Sequence, residues 1–292
     1  MAGPHLTFDD GVGDERSGPS KTIHDHPCGN SNPRYREICA FLDELTAQDP
    51  FRIWESGQMS FWRCNVHAEK DPADPFFAEN VRVWRAEGDG VVGLAISEYG
   101  KDDLSVETFS DHRDVVCPRV FHRIDEIWAK TRDAVQIEAF ADDAEKIRRL
   151  KDQRYAFDRY FENLRIYNLD AIDLSYALED GFTIRTFAEA VNVEERVALV
   201  RSAFDNPNYS EERLAGLISS PDHIEPVGTH ADYRRRGFAT AVIRECFVRL
   251  KRDGIRTVDI ASQAEPAAAS FLYDSLKPTA KREAHRHRKT LG

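Results

Sequence analysis

Three consecutive arginines, Arg234-Arg235-Arg236, stand directly before Gly237-Phe238-Ala239-Thr240 and a run in which Ala239, Val242, Ile243, Cys246, Phe247 and Leu250 recur at the spacing of one helical face. A helix opened by glycine offers backbone N–H groups with no partner and the positive end of its dipole, and the missing side chain lets an anion come close. The arginines add charge, so the chemistry such a stretch could perform is the binding of a phosphate. The bland alternative is a glycine-opened surface helix flanked by solvated arginines. Upstream, Glu225-Pro226-Val227-Gly228-Thr229-His230 reads as a short strand feeding the turn.

The string Arg234-x-x-Gly237-x-Ala239, preceded by Glu225-Pro226-Val227-Gly228-Thr229-His230 and by Asp232-Tyr233-Arg234, resembles motif A of the GNAT acyltransferases. The wider pattern is similar to the second domain of tandem-GNAT proteins of the mycothiol-synthase type. The resemblance implies that Arg234, Arg235, Arg236, Gly237, Phe238, Ala239 and Thr240 hold the pyrophosphate of acetyl-CoA, a co-substrate, with no metal. It further implies that backbone groups of Val227 and Thr229 align the pantetheine arm as an added strand, with the Val227 N–H as oxyanion donor. Glu225 falls at the position of the base that takes the proton of an acceptor amine, and His230 is a secondary candidate. Downstream, Glu265-Pro266-Ala267 and Leu272-Tyr273-Asp274-Ser275 resemble the family segment whose tyrosine protonates the departing thiolate. Tyr273 is that acid or, beside Phe271 and Leu272, a core aromatic. Ala264 stands where the family commonly has asparagine, and Lys277-Pro278 replaces Gly-Phe, which predicts a weakened final strand.

The elements that must position these residues read as an α/β protein of two GNAT-like halves, each a mixed central sheet flanked by helices. Residues 1–33 are a flexible leader, 34–169 a degenerate GNAT-like domain, 170–180 a linker, and 181–292 a GNAT-like acetyl-CoA-binding domain. In the first half, Ile38, Phe41, Leu42 and Leu45 mark a helical face. Strands follow at Val81–Arg85, Val91–Ile96 and Leu104–Phe109, then a helix around Phe121–Thr131, a strand Ala134–Phe140, a helix near Asp142–Asp152 and aromatic strands between Tyr155 and Tyr167. An internal repeat sets Asp111-His112-Arg113 against Asp232-Tyr233-Arg234 without gaps. Val116 then falls opposite Gly237 and Pro118 opposite Ala239, replacements that block close approach and remove an N–H, so the first copy has the look of one that has lost its site.

The second half begins with a strand pattern at Phe182–Phe187, a helix capped by Asn192 with Val197, Val200 and Phe204 inward, and a helix opened by Ser210. Only Pro221-Asp222-His223-Ile224 then separate Ser220 from Glu225, where the family has a two-strand meander of roughly 20 residues. A truncated second sheet follows, with the strand Glu225–Thr229 lacking its neighbour. This departure makes a non-catalytic CoA-binding or scaffolding role the alternative to N-acetyl transfer onto the primary amine of a small molecule.

The remaining features bound the classes. A formal charge of -11 repels polyphosphate, which argues against nucleic acid, and confines any anion site to a local patch. The basic tail Lys281–Lys289 reads as a solvated terminal strand or fraying end. No apolar run is long enough to span a membrane, and the leader has no apolar core of a signal peptide. Five cysteines without a Cys-x-x-Cys pair fit reduced thiols in a cytoplasm, and His24, His26 and Cys28 lack the second ligand pair a zinc site requires.

Overall fold

The computed structural model of this 292-residue chain describes residues 23–27, 32–67, 70, 74–86, 90–186, 192–218, 227–265 and 267–291. Strand β1 (Ile23–Pro27) precedes helix α1 (Asn32–Gln48), whose Ile38, Phe41, Leu42 and Leu45 are all buried, as their spacing on one face demands. Helix α2 (Ser56–Phe61) runs on into a wider turn at Trp62–Val66. Helix α3 (Pro75–Asn80) is opened by Asp74, which accepts a 2.8 Å hydrogen bond from the Phe76 N–H. Strands β2 (Val81–Ala86) and β3 (Gly90–Ile96) are the expected hairpin. Their alternate side chains pack under α1 and Trp62 on one face.

Strand β4 (Asp103–Thr108) leads into α4 (Arg113–Glu126), which starts well ahead of the predicted Phe121. Strand β5 (Ala134–Phe140), α5 (Ala144–Asp152) and β6 (Ala156–Asn168) complete the first half. Strands β4 and β5 are parallel and pair only at Asp103 with Gln136 and Leu104 with Ile137. Beyond those positions the ladder between them ends.

The second half contains α6 (Val193–Phe204), α7 (Glu211–Ile218), α8 (Phe238–Arg252), β7 (Thr257–Gln263), α9 (Ala267–Ser275) and β8 (Ala280–Thr290). Asn192 caps α6 by accepting from the Glu195 N–H at 3.0 Å, and Ser210 does the same for Arg213 at 3.3 Å, as predicted. Val197 and Val200 are buried, whereas Phe204 is exposed at its edge and lays its ring on Gly228.

Among the described residues the strands form a single mixed sheet of eight, ordered β1-β2-β3-β4-β5-β8-β6-β7, to which both halves contribute. The C-terminal strand β8 lies between β5 and β6 and pairs antiparallel with both. The basic tail is therefore neither frayed nor weakened. Its charges explain the placement: Arg282 binds Asp142 and Asp49, Arg286 binds Glu138, Arg288 binds Asp102, and Lys289 binds Asp125, all acids of the first half. Two-sided pairing satisfies the backbone and the carboxylates neutralise the cations, so a strand of seemingly solvated residues becomes internal.

Three further expectations are corrected. The leader contributes strand β1, which extends the sheet by pairing antiparallel with β2. Residues Phe182–Thr186 form no strand, and neither do Val227–His230. Among the described residues no strand lies between β6 and β7, and a strand without a hydrogen-bonding neighbour has nothing to hold it extended. Among the described residues, strand β7 pairs only with β6 and forms the edge of the sheet.

Candidate functional site

The mouth of α8 is built as the sequence predicts. A tight turn at Ala231–Tyr233 leads to Arg234, and Gly237, at φ +82°, is the residue before the helix; its carbonyl accepts the first helical bond from the Ala241 N–H at 3.0 Å. Arg235 is also left-handed, at φ +62°. Left-handed residues interleaved with ordinary ones turn neighbouring N–H groups to one side, the geometry of a backbone anion nest. A side chain at Gly237 would meet nothing within 4 Å, so the mouth is open. Ala239 and Thr240 sit half-buried in the first turn, and Ala241, Ile243 and Phe247 anchor the helix in the core.

The arginines do not act as one cluster. Arg234 donates to the Thr229 carbonyl at 3.1 Å and to the Ala203 carbonyl at 3.2 Å, tying the loop to α6. Arg236 makes a two-pronged pair with Glu179, and its guanidinium lies 5.1 to 5.3 Å from the ring centres of Phe182, Tyr233 and Phe238. Arg235 is exposed and, among the described residues, has no partner. His230 spends Nδ1 accepting from the Asp232 N–H at 3.3 Å, which makes it first of all a turn cap.

Glu225 lies outside the described residues. Val227 and Tyr273 belong to one apolar cluster with Ile243, Phe247, Val258 and Ile260, so the end of the cradle segment and the acid candidate face the same core. Tyr273 is half-buried there.

Sequence reasoning missed what fixes Tyr273 in place. Arg165, on β6 of the first half, is fully buried and donates to Asp274 at 2.5 Å and to the Ser262 and Ser270 hydroxyls at 2.9 and 3.1 Å. Its guanidinium lies 5.9 Å from the Tyr273 ring centre, and the Tyr167 hydroxyl donates to the Tyr273 carbonyl at 2.9 Å. The arginine holds the Asp274 carboxyl below its usual range. The available signal was Asn163, Arg165 and Tyr167 at alternate positions of β6, three polar groups on one face.

The first-half counterpart is closed. Helix α4 starts at once at Arg113, and Val116 is fully buried against Gly93, where an added Cβ would come within 2.6 Å of it. Beyond the β4–β5 ladder, Ser105 donates to Glu138 at 2.7 Å and Lys146 to the Val106 carbonyl at 3.1 Å. Buried Glu107 faces Arg52 at 3.9 Å; its pKa is raised by burial and pulled back by Lys146 and Arg52. Among the described residues, no group of His, Cys, Asp and Glu is placed to hold a metal, and no helix is long and apolar enough to cross a membrane.

The architecture, a mixed sheet flanked by helices, is that of the GNAT acyl-CoA N-acyltransferase fold. The chain is similar in structure to a GCN5-related N-acetyltransferase from Sphaerobacter thermophilus, with a TM-score of 0.57 and 16% identity over 92% of this chain and 96% of that one. It is similar also to a tandem GNAT protein from the clavulanic acid biosynthesis pathway, at 0.60 and 11% over 93% and 99%. A GNAT-family acetyltransferase from Colwellia psychrerythraea gives 0.51 and 10% over 92% and 100%. No family model and no curated protein matches the sequence.

Proposed function

We propose that the chain binds acetyl-CoA at Val227–Thr240 and transfers its acetyl group to the primary amine of a small molecule. The observation that carries this reading is the open, left-handed Gly237 at the mouth of the fifteen-residue helix α8, on a GNAT fold. Those residues fit a phosphate: the first-turn amides of α8 supply donors and Arg235 an uncommitted charge. Acetyl-CoA supplies an activated thioester. Glu225 takes the proton from the incoming amine, the Val227 N–H stabilises the oxyanion, and Tyr273 delivers a proton to the leaving sulfur. The halves divide the work, 34–169 as a copy without a cofactor and 181–292 as the cofactor-binding unit.

A second reading, a CoA-binding or scaffolding protein without catalysis, is favoured by one observation: Val227–His230 is irregular, so the strand that should align the pantetheine arm is not formed. Titration of acetyl-CoA by calorimetry, followed by thiol release with a panel of primary amines, decides between them. Saturable micromolar binding with turnover supports the transferase, and binding without turnover supports the scaffold. Absence of binding by a folded protein removes both.

A further inference from the structure

The segment joining the halves runs along α8 from its C-terminal to its N-terminal end. Lys251 donates to the Leu169 carbonyl at 2.9 Å, Arg244 to the Ser175 carbonyl, and the Tyr176 hydroxyl to Glu245 at 2.8 Å. At the helix mouth Glu179 takes both prongs of Arg236, and the Phe182 ring packs at a tilt with its centre 4.6 Å from that of Phe238. The linker is thus a strap whose final contact places a carboxylate on an arginine beside an open anion nest.

We infer that Glu179 is an internal anion that competes with the phosphates of the cofactor for Arg236, which makes it an affinity-determining residue of this site. The inference rests on the acetyl-CoA reading. A carboxylate and a phosphate oxygen accept from the same guanidinium edge, and the Nε–Nη2 edge of Arg236 is already given to Glu179. Both partners are partly exposed, so the competition is modest and reversible rather than a lock.

The test is calorimetric titration of acetyl-CoA into the full-length wild type, Glu179→Gln, Glu179→Gln/Arg236→Gln and Tyr176→Phe. Glu179→Gln is expected to bind about threefold more tightly, the range a surface ion pair allows. The gain should vanish in the double variant and be absent from Tyr176→Phe, which loosens the strap away from the mouth while leaving the Glu179 charge. Wild-type binding that Glu179→Gln leaves unchanged or weakens overturns the inference while sparing the cofactor reading. A gain equal in Tyr176→Phe also overturns it, because slackness rather than charge would then be the cause. If all four folded proteins fail to bind, the cofactor reading falls and takes the strap's role with it.

Discussion

The two turn-and-helix segments that the sequence sets opposite each other part company at one point in the chain. Ser110–His112 and Ala231–Tyr233 are both single tight turns, with Asp111 opposite Asp232 and Arg113 opposite Arg234. In the first segment the helix begins immediately, Arg113 pairs with Asp143, the cap of α5, and with Glu145 in its first turn, and Val116 enters the core against Gly93. In the second, Arg234–Gly237 remain a loop, the helix waits until Phe238, and the position opposite Val116 is empty space. Burying a valine contributes about 2 kcal/mol. In the first segment this position serves the core and in the second it stays open, with one side chain marking the difference.

That contrast can be broken from either side. Gly237→Val, which copies the first half, is expected to abolish acetyl-CoA binding in calorimetry, since a β-branched residue resists φ +82° and covers the nest. Its effect on folding should stay near 1–2 kcal/mol, because no neighbour is struck. The reverse change, Val116→Gly, should cost roughly 3 kcal/mol in urea unfolding, from the emptied core and the glycine in a helix. It should not create a second binding site, because the bonds of Ser105 to Glu138 and of Lys146 to the Val106 carbonyl remain in place. A second equivalent of bound acetyl-CoA in that variant would show that Val116 alone closes the first copy.

A third change probes how the halves depend on each other. Arg165→Met leaves Asp274, Ser262 and Ser270 without their shared donor and should cost about 3 kcal/mol, measured by urea midpoint. Because this first-half strand carries α9, turnover should fall further than acetyl-CoA affinity. Equal losses in both would argue that Tyr273 is only a core aromatic.

Much of this was legible in the residues. Local patterns placed α1, the β2–β3 hairpin, β5, the caps Asn192 and Ser210 and the glycine turn, because each follows from spacing or side-chain chemistry within a few residues. What failed depended on partners far along the chain. Phe182–Phe187 alternates like a strand, but its first five residues form none and find no neighbour strand. Lys281–Lys289 reads as solvent-exposed, yet acids from Asp49 to Asp142 draw it into the sheet. The Arg236 pairing was equally hidden, since nothing local announces that Glu179 in a polar linker returns to the helix mouth.

The smallest expected effect tests the seam between the halves. Glu55, before α2, sits against Asp259 of β7. Burial, then Asp259, raises its pKa to about 9, with Glu107 adding and Arg52 opposing. In the unfolded chain the same carboxyl ionises near pH ~4. Between those values the folded state holds a proton that the unfolded state has lost, so stability falls as pH rises through the window and levels off above about 9. Because Glu55 is itself only half-buried and Asp259 is exposed, solvent screening should hold the loss to about 1 kcal/mol between pH 5 and 8.5. Glu55→Gln, neutral throughout, should match the wild type in urea at pH 4 and exceed it at pH 8.5. Parallel curves for the two proteins across that range would mean that the Glu55 carboxyl ionises normally and that the seam is wetter than its packing implies.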